Sequence, residues 1–277
     1  MIGSEEKPLV SVIIPTFNSR KTFERCMQSI RQQTYPLIET IVVDRFSVDG
    51  TQEAAKKLGA KTLILNAERS AAKNHGATKC KGKFVFFLDS DMEPTLKVVE
   101  NCVNLCLKKN LDAVIIPEKS TSENFLGKCR SIEKTLQQYG SSTTINIPRF
   151  FNKDAFIQLG GYDESLICGE DLDLYIRLKN ARYRCGQVKS EIIHLEGNVT
   201  MREITSKAYY YGKSLPKLLE KNPKHVSIRY VNLLIFNLRN LRTWIRYGAY
   251  FVGFVIMKVT EYAAFILGFS NTIISGT

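Results

Sequence analysis

Two short acidic clusters have residue types and a spacing that suit chemistry at a diphosphate. Asp89 and Asp91 directly follow residues 84–88, an apolar run that the sequence predicts to be a buried strand. Carboxylates at the end of a buried strand cost free energy unless a partner neutralises them, and a divalent cation is the usual partner. We therefore predict that this pair holds a metal ion against a diphosphate.

The second cluster is Glu170 and Asp171, at the start of a predicted helix. The apolar residues Leu172, Tyr175 and Ile176 follow at helical spacing. Negative charge is stabilised at a helix start, and a carboxylate there can act as a general base. A base together with a metal-bound diphosphate indicates chemistry on nucleotide-sugars.

The elements that must position these clusters alternate between strand and helix through the first half of the chain. We predict strands at residues 10–14, 38–43, 61–65, 84–88 and 113–116, with helices between them. This alternation predicts a parallel sheet with helices on both faces. Because ligands bind beyond the carboxyl ends of such strands, Pro15–Asn18, Asp44 and Asp89 should converge at one edge.

Helix boundaries are predicted from local capping signals. Asn18 or Ser19 should cap the first helix, and Asp49 with Gln52 has the spacing of a capping box for the second. Pro94 is predicted to start the helix that runs to about Lys109. Residues 118–184 lack this regular alternation.

Composition describes a globular protein whose thiols are reduced. The chain has 277 residues, of which 44% are hydrophobic and 24% charged. Its seven cysteines form no C-x-x-C pair, and their odd number fits a disulfide framework poorly. With no apolar signal segment at the start, we expect a cytoplasmic location.

The net charge of +12 is concentrated near the end of the chain. Residues 201–247 carry ten Lys and Arg residues against Glu203 and Glu220, and such a patch attracts phosphates of lipid or nucleic acid. The apolar, aromatic-rich residues 244–269 that follow favour a membrane surface as partner. No nucleic-acid-binding motif is recognised, so we expect no nucleic-acid partner.

Residues 244–269 are just long enough to span a bilayer, but Lys258 and Glu261 interrupt them. A single transmembrane helix and an interfacial or re-entrant helical hairpin both remain open, with a soluble core helix as a third reading. We predict a catalytic domain at residues 1–200 and a membrane-docking extension at 201–277. The expected location is the cytoplasmic side of the cell membrane, peripheral or single-pass.

The chain resembles the family-2 glycosyltransferases, which have the GT-A fold. The resemblance rests on short motifs in the family's order: IPTFN (residues 14–18), VVD (42–44), SVDGT (47–51), ERSAAKNHG (68–76), FLDSD (87–91), GGYD (160–163) and GED (169–171). The chain departs from the family at Arg45 and Phe46, where an acidic residue and glycine are common. Lys73 replaces a common arginine, which keeps the charge but loses the planar fork.

The resemblance implies a Rossmann-like, mostly parallel sheet and an inverting, metal-dependent glycosyl transfer from a nucleotide-diphosphate sugar. Asp91, Asp89 and His194 would be the ligands of Mg2+ or Mn2+. Asp171, with Glu170 beside it, would deprotonate the acceptor. The donor-binding residues would be Pro15, Thr16, Asn18, Asp44, Arg69, Lys73, Asn74, Asp89 and Arg149.

Less specific interpretations of the same residues stay open. Asp44 and Asp49 also fit simple turn formers, His194 fits a core histidine, and Arg149 fits a surface residue as well as a phosphate ligand. For the acceptor we predict a lipid-linked molecule. The alternatives are direct transfer to a polyprenyl or dolichyl phosphate, or a non-catalytic nucleotide-sugar binder. The oligomeric state, the sugar and the base are not predicted.

Overall fold

The structure is a computed structural model that describes residues 7–140 and 147–275. These residues form two compact units. The first comprises residues 7–117, 147–164 and 174–193, and the second comprises 118–140, 165–173 and 194–275. This grouping differs from the predicted boundary at residue 200, because residues 118–140 and 165–173 pack with the C-terminal helices.

The strands lie mostly in the first unit. In chain order they are β1 (Val10–Thr16), β2 (Ile38–Asp44), β3 (Lys61–Ile64), β4 (Phe84–Phe87), β5 (Met92–Pro94), β6 (Ala113–Ile115), β7 (Glu118–Thr121), β8 (Pro148–Asn152), β9 (Cys185–Gln187) and β10 (Ile192–Leu195). Seven of them form one sheet in the order β3-β2-β1-β4-β8-β6-β9. The pairs β1/β2, β1/β4, β2/β3 and β6/β9 are parallel, which confirms the predicted, mostly parallel α/β architecture.

The helices in chain order are α1 (Arg20–Arg31), α2 (Thr51–Lys57), α3 (Arg69–Lys79), α4 (Val98–Lys109), α5 (Phe125–Gly140), α6 (Lys153–Gln158), α7 (Glu170–Asn180), α8 (Met201–Lys221), α9 (Pro223–Arg239), α10 (Leu241–Arg246) and α11 (Ala249–Ser275). In the first unit, α1 and α4 bury apolar side chains on one face of the sheet, and α3 and α6 do so on the other. Alternate residues of one strand serve both layers, since Phe84 and Phe86 face the first and Val85 and Phe87 the second.

The irregular middle region contains a strand that the sequence analysis missed. β8 pairs antiparallel with both β4 and β6 and so lies inside the sheet. Phe150 and Phe151 are fully buried on opposite faces, where each contacts aromatic rings of β4. This short run has no alternation of polar residues, which explains why periodicity did not identify it.

Helix α1 begins directly after Ser19, as predicted, but two predicted capping contacts are absent and α4 starts later than predicted. Ser19 and Asn18 make no side-chain cap on α1; Asp49 caps it instead, accepting from Arg20 N at 2.9 Å. Gln52 forms no capping box and donates to Asp44. Pro94 ends β5, and α4 begins only at Val98. In the first two cases a contact with a neighbouring segment replaces the local one.

In the second unit, α8 and α11 cross at two glycines. A Cβ atom at Gly212 would clash with the carbonyl oxygen of Phe265, and one at Gly268 would clash with that of Tyr209. The start of α8 is fixed by a capping box in which Thr200 Oγ1 accepts from Glu203 N and the Glu203 carboxylate accepts from Thr200 N. Two buried apolar clusters hold this unit together, one centred on Trp244 and Met257 and the other on Leu215 and Leu218.

Among the described residues, one helix is long and apolar enough to cross a membrane. It is the stretch Ala249–Ile274 of α11, with a mean hydropathy of 1.6 and 22% of that apolar window buried against the protein. Length and composition alone are weak evidence for membrane association, because core helices of soluble proteins pass the same test.

Candidate active site

Three adjacent strands bring their carboxyl ends to one edge of the sheet. In the parallel register Thr16 lies opposite Asp44, and Leu88 N donates to Ile13 O at 3.1 Å. The loops that contain residues 15–18, 44–47 and 89–91 therefore leave the sheet side by side, as the sequence predicted. This edge of the first unit is the candidate active site.

Asp44 is fully buried and accepts four hydrogen bonds. Thr16 Oγ1 and Ser47 Oγ donate to Oδ2 at 2.7 and 2.6 Å, and Ser47 N and Gln52 Nε2 donate to Oδ1 at 2.8 and 2.7 Å. Both oxygens are satisfied within the protein. Asp44 therefore ties the end of β1 to the loop after β2, and its contact with a base stays a prediction.

Asn18 holds the same two loops together from the outside. Its backbone is left-handed with φ of 46°, its N–H donates to Ser47 Oγ at 2.8 Å, and its Oδ1 accepts from Val48 N at 3.0 Å. Asparagine tolerates this conformation better than most residues. Asn18 thus shapes the rim of the site through the loop between β1 and α1.

Asp89 lies among positively charged side chains. Lys73 Nζ is 3.1 Å from its Oδ1, and Arg149 NH1 is 3.1 Å from its Oδ2. Burial alone would raise the pKa of Asp89, but Lys73, Arg149 and Arg69 hold that pKa well below its usual range. The side chain of Lys73 is only 4% exposed, so this ion pair is largely shielded from water.

Asp91 is half-buried at the same edge, and its charge adds to that of Asp89 and Glu93. The effect is visible at Cys26, where burial raises the pKa of the thiol and the three carboxylates raise it further. Among the described residues no group of three or more His, Cys, Asp or Glu side chains is arranged to hold a metal ion.

The donor set nevertheless fits a divalent cation that takes part of its coordination from a substrate. Mg2+ is commonly held by one or two carboxylates, with phosphate oxygens and water completing its ligands. Asp91 can supply such a carboxylate. Asp89 fits this role less well, because Lys73 and Arg149 already neutralise it.

Asp89 and Asp91 line a cleft of about 300 Å³ in the first unit. It is lined by Pro15, Thr16, Phe17, Ser19, Val43, Arg45, Ala67, Glu68, Arg69, Ala72, Asp89, Ser90 and Asp91. The lining combines apolar side chains with Arg45, Arg69 and acidic residues, a mixture that suits a ligand with both apolar and charged parts. At the rim, the Arg45 guanidinium lies 5.6 Å from the Phe17 ring centroid and forms an ion pair with Glu68.

Asn74, which is predicted to bind the donor, holds a turn. Its Nδ2 donates to Tyr162 O and to a Glu164 carboxylate oxygen at 2.8 and 2.9 Å, and its Oδ1 accepts from Tyr162 N at 2.8 Å. Both the nitrogen and the oxygen of its amide group therefore contact this turn, and its contact with the donor stays a prediction. Lys73 Nζ lies 5.5 Å from the Tyr162 ring centroid.

Arg177 is a second supporting residue, and the sequence analysis missed it. Its guanidinium donates to the carbonyl oxygens of Leu159 and Gly161, the latter at 2.7 Å. Gly160 and Gly161 both have positive φ, at 81° and 67°, which favours glycine. The only signal for Arg177 in the sequence was its place on a predicted helix, and that does not reveal a carbonyl partner.

In the second unit, Glu170 and Asp171 begin α7 as predicted. Gly169 before them has φ of 77°, and a Cβ atom there would collide with Leu218. Glu170 is 3% exposed, whereas Asp171 is half-buried and its Oδ1 accepts from Leu172 N at 2.7 Å. Asp171 is thus the more accessible of the two carboxylates.

His194 lies in a cluster of charged side chains in the second unit. Its Nδ1 is 3.4 Å from Lys134 Nζ, 3.6 Å from a Glu196 oxygen and 4.0 Å from a Glu118 oxygen. Burial would raise the pKa of Glu196, but Lys134 and His194 lower it to about 2. The role of His194 as a metal ligand stays a prediction.

A family model described as glycosyl transferase family 2 matches residues 11–160 of this chain, which include β1 to β4 and the edge described above. The chain belongs to this family. It is 28% identical to glycosyltransferase AglE of Haloferax volcanii over 64% of this chain and 63% of that protein. It is 34% identical to the uncharacterized glycosyltransferase YibD of Escherichia coli over 40% of this chain and 34% of that protein. The matches span less than two thirds of these relatives.

Solved structures identify the GT-A fold. The mannosyltransferase PcManGT of Pyrobaculum calidifontis, solved with GDP-Man and Mn2+, matches 97% of this chain and 88% of its own, with a TM-score of 0.64 at 17% identity. TarS of S. aureus, residues 1–349 in complex with UDP-GlcNAc, matches 92% of this chain and 81% of its own, with a TM-score of 0.56 at 16% identity. At these identities the likeness establishes the fold.

Proposed function

We propose that this family-2 glycosyltransferase transfers a sugar from a nucleotide-diphosphate donor to an acceptor, with inversion at the anomeric carbon. The observation that carries the proposal is the cluster of Lys73, Arg149 and Arg69 around Asp89 in a cleft of the GT-A sheet edge. Departure of a nucleoside diphosphate leaves negative charge on phosphate oxygens, and fixed cations stabilise that charge. The solved complexes of PcManGT with GDP-Man and TarS with UDP-GlcNAc support a nucleotide-sugar donor.

In the proposed reaction, Asp171 accepts the proton of the acceptor hydroxyl or phosphate. The acceptor oxygen then forms a bond to the anomeric carbon as the bond from that carbon to the β-phosphate oxygen breaks. Asp91, with the predicted ligands Asp89 and His194, would hold Mg2+ or Mn2+. When bound, this ion supplies positive charge to the leaving diphosphate. The complex of PcManGT with Mn2+ supports a divalent ion.

For the acceptor we propose a lipid-linked molecule, used at the cytoplasmic face of a membrane. The support is the length and hydropathy of Ala249–Ile274, together with the basic residues that precede it. A polyprenyl phosphate that receives the sugar directly is the second candidate, because its phosphate carries the same long apolar chain. The two differ in product: the first gives a glycosidic bond to another sugar and the second a sugar phosphate.

The test is donor binding with and without metal. We expect Mn2+ to tighten binding of a matching GDP- or UDP-sugar to the full chain, measured by calorimetry, and the variant Asp91→Asn to lose this effect. Asp154→Asn, an exposed aspartate of α6, is the matched control and should behave as the unchanged chain. Donor affinity that is independent of metal in every variant contradicts the metal role. Donor binding without any release of nucleoside diphosphate would favour the non-catalytic binder.

A further inference from the structure

Along α11, large apolar side chains are exposed on one side of the helix. They recur three and four residues apart and are 41% to 82% exposed. We call them the apolar stripe: Val252, Val255, Ile256, Val259, Tyr262, Ile266, Leu267, Ile273 and Ile274. This spacing places them on a single face that runs the length of the helix.

The opposite side of α11 packs against protein. Phe254 and Met257 are buried in the cluster around Trp244, and Trp244 stacks on Phe254 at 3.8 Å between ring centroids. Where α8 crosses, Gly268 approaches the backbone of Tyr209, and Thr272 Oγ1 donates to Lys213 O at 3.4 Å. One side of α11 is thus covered by other parts of the second unit along the length of the helix.

The charges that interrupt the apolar sequence also lie on the packed side. Lys258 Nζ is 2.7 Å from carboxylate oxygens of both Glu133 and Glu261, and Arg130 NH2 is 3.3 Å from Glu261. Glu133 and Arg130 belong to α5. Lys258 and Glu261 therefore join α11 to α5 and leave the stripe uncharged.

A helix with this surface does not suit a position across the bilayer. Crossing would carry α8 with it, and α8 exposes Arg202, Lys207, Lys213 and Lys217. Placing such charged residues in hydrocarbon is strongly unfavourable. A position in the plane of the membrane surface buries the stripe and leaves the charged side chains of α8 in water.

We propose that α11 lies in the plane of an anionic membrane surface, with the apolar stripe in the acyl boundary. The choice of partner rests on α10, which directly precedes α11. There Arg242 and Arg246 are exposed beside the exposed apolar Leu241 and Ile245, a pairing of charge and apolar area that suits anionic lipid. This surface deepens the proposed function, since it would bring the enzyme to a lipid-borne acceptor.

The first experiment is flotation of the full chain with phosphatidylcholine vesicles, with and without phosphatidylglycerol. We expect binding that is stronger with the anionic lipid and on the order of tenfold weaker in the double variant Val259→Glu with Ile266→Glu. The control pair Leu107→Glu with Ile157→Glu alters exposed apolar residues of the first unit, at 44% and 48% exposure, and should bind as the unchanged chain. Equal binding by both double variants, or no binding by the unchanged chain, would overturn the proposal.

The second experiment measures depth. The chain has one tryptophan, Trp244, and the variant Trp244→Phe retains an aromatic ring for the stack on Phe254. In that background, tryptophan is introduced in turn at Val252, Val259, Ile266 and Ile273, positions of the stripe that are seven residues apart. The fluorescence of each introduced tryptophan is quenched by lipids that are brominated at different depths of the bilayer. We expect the same shallow depth for all four tryptophan positions. Greater depth at the two central positions would show a spanning helix and overturn the proposal.

Both experiments use neither donor nor acceptor. Failure of membrane binding therefore leaves the donor-binding test untouched, and failure of donor binding leaves the depth measurement untouched. Circular dichroism of each variant establishes that the helices are retained before binding is compared.

Discussion

At the residue scale, the carboxylates with proposed roles differ in their contacts. In the first unit Asp89 forms ion pairs with Lys73 and Arg149, whereas in the second unit Asp171 is half-buried at the start of α7 and its Oδ1 accepts from Leu172 N. A carboxylate that is already paired with cationic side chains holds those side chains in place. A solvent-accessible carboxylate can accept a proton or bind a metal ion. Because these residues are all aspartates, their contacts distinguish the proposed roles better than the residue type does.

Asp171→Asn should lose turnover while donor binding stays within a factor of about two. Removal of a positioned base typically costs about 10² to 10⁴ in rate. The measurement is release of nucleoside diphosphate in the presence of acceptor, beside calorimetric donor binding. Glu123→Gln, an exposed glutamate of the second unit, is the control. Near-normal turnover of Asp171→Asn would move the role of base to Glu170.

Lys73→Met should destabilise the first unit. It removes one ion-pair partner from a carboxylate that is 18% exposed, and breaking a buried pair costs about 3 kcal/mol. Urea unfolding measures this loss. Lys79→Met, on the exposed side of the same helix α3, should change stability by less than about 0.5 kcal/mol. Similar losses in both variants would argue against the ion pair.

At the element scale, α5 is joined to two other segments of the second unit by two sets of ion pairs. Lys134 pairs with Glu196 near His194, and Arg130 and Glu133 pair with residues of α11. Each of these charges is partly buried and has a partner of opposite sign. We therefore interpret α5 as the helix that fixes both β10 and α11 in this unit.

The Glu196 pair predicts acid sensitivity with a defined window. The pKa of Glu196 is lowered from 4.5 to about 2, so its contribution is present above pH 4.5 and is lost as pH falls toward 2. The contribution is up to about 3 kcal/mol. Unfolding of Glu196→Gln should depend less on pH in this window than that of the unchanged chain. Glu220→Gln, an exposed glutamate, should follow the unchanged chain, and equal slopes for all three would refute the assignment.

At the scale of the whole molecule, α11 is both a core helix of the second unit and a candidate membrane surface. Phe254 and Met257 contribute to the cluster around Trp244, while the apolar stripe remains exposed. Deleting α11 would uncover that core, so truncation would confuse unfolding with loss of membrane binding. Point variants of the stripe separate the two effects.

Local sequence patterns predicted much of the fold and several residues of the candidate site. The apolar runs that became β1 to β4, and the acidic and polar residues directly after them, were readable because strand periodicity and strand ends are local properties. Parallel strands then place their carboxyl ends together, so the convergence of Thr16, Asp44 and Asp89 at one edge followed. The acidic start of α7 was equally local, because a helix terminus favours that charge.

The tertiary structure determined which side chains contact one another. Arg149 reaches Asp89 from 60 residues away because β8 enters the sheet beside β4, and Gln52 serves Asp44 rather than its own helix. Helical spacing separates the charges of α11 from its apolar stripe, but only the tertiary structure shows that α5 and α8 cover the charged side and leave the stripe exposed. Such contacts depend on which elements become neighbours, and no local pattern specifies that.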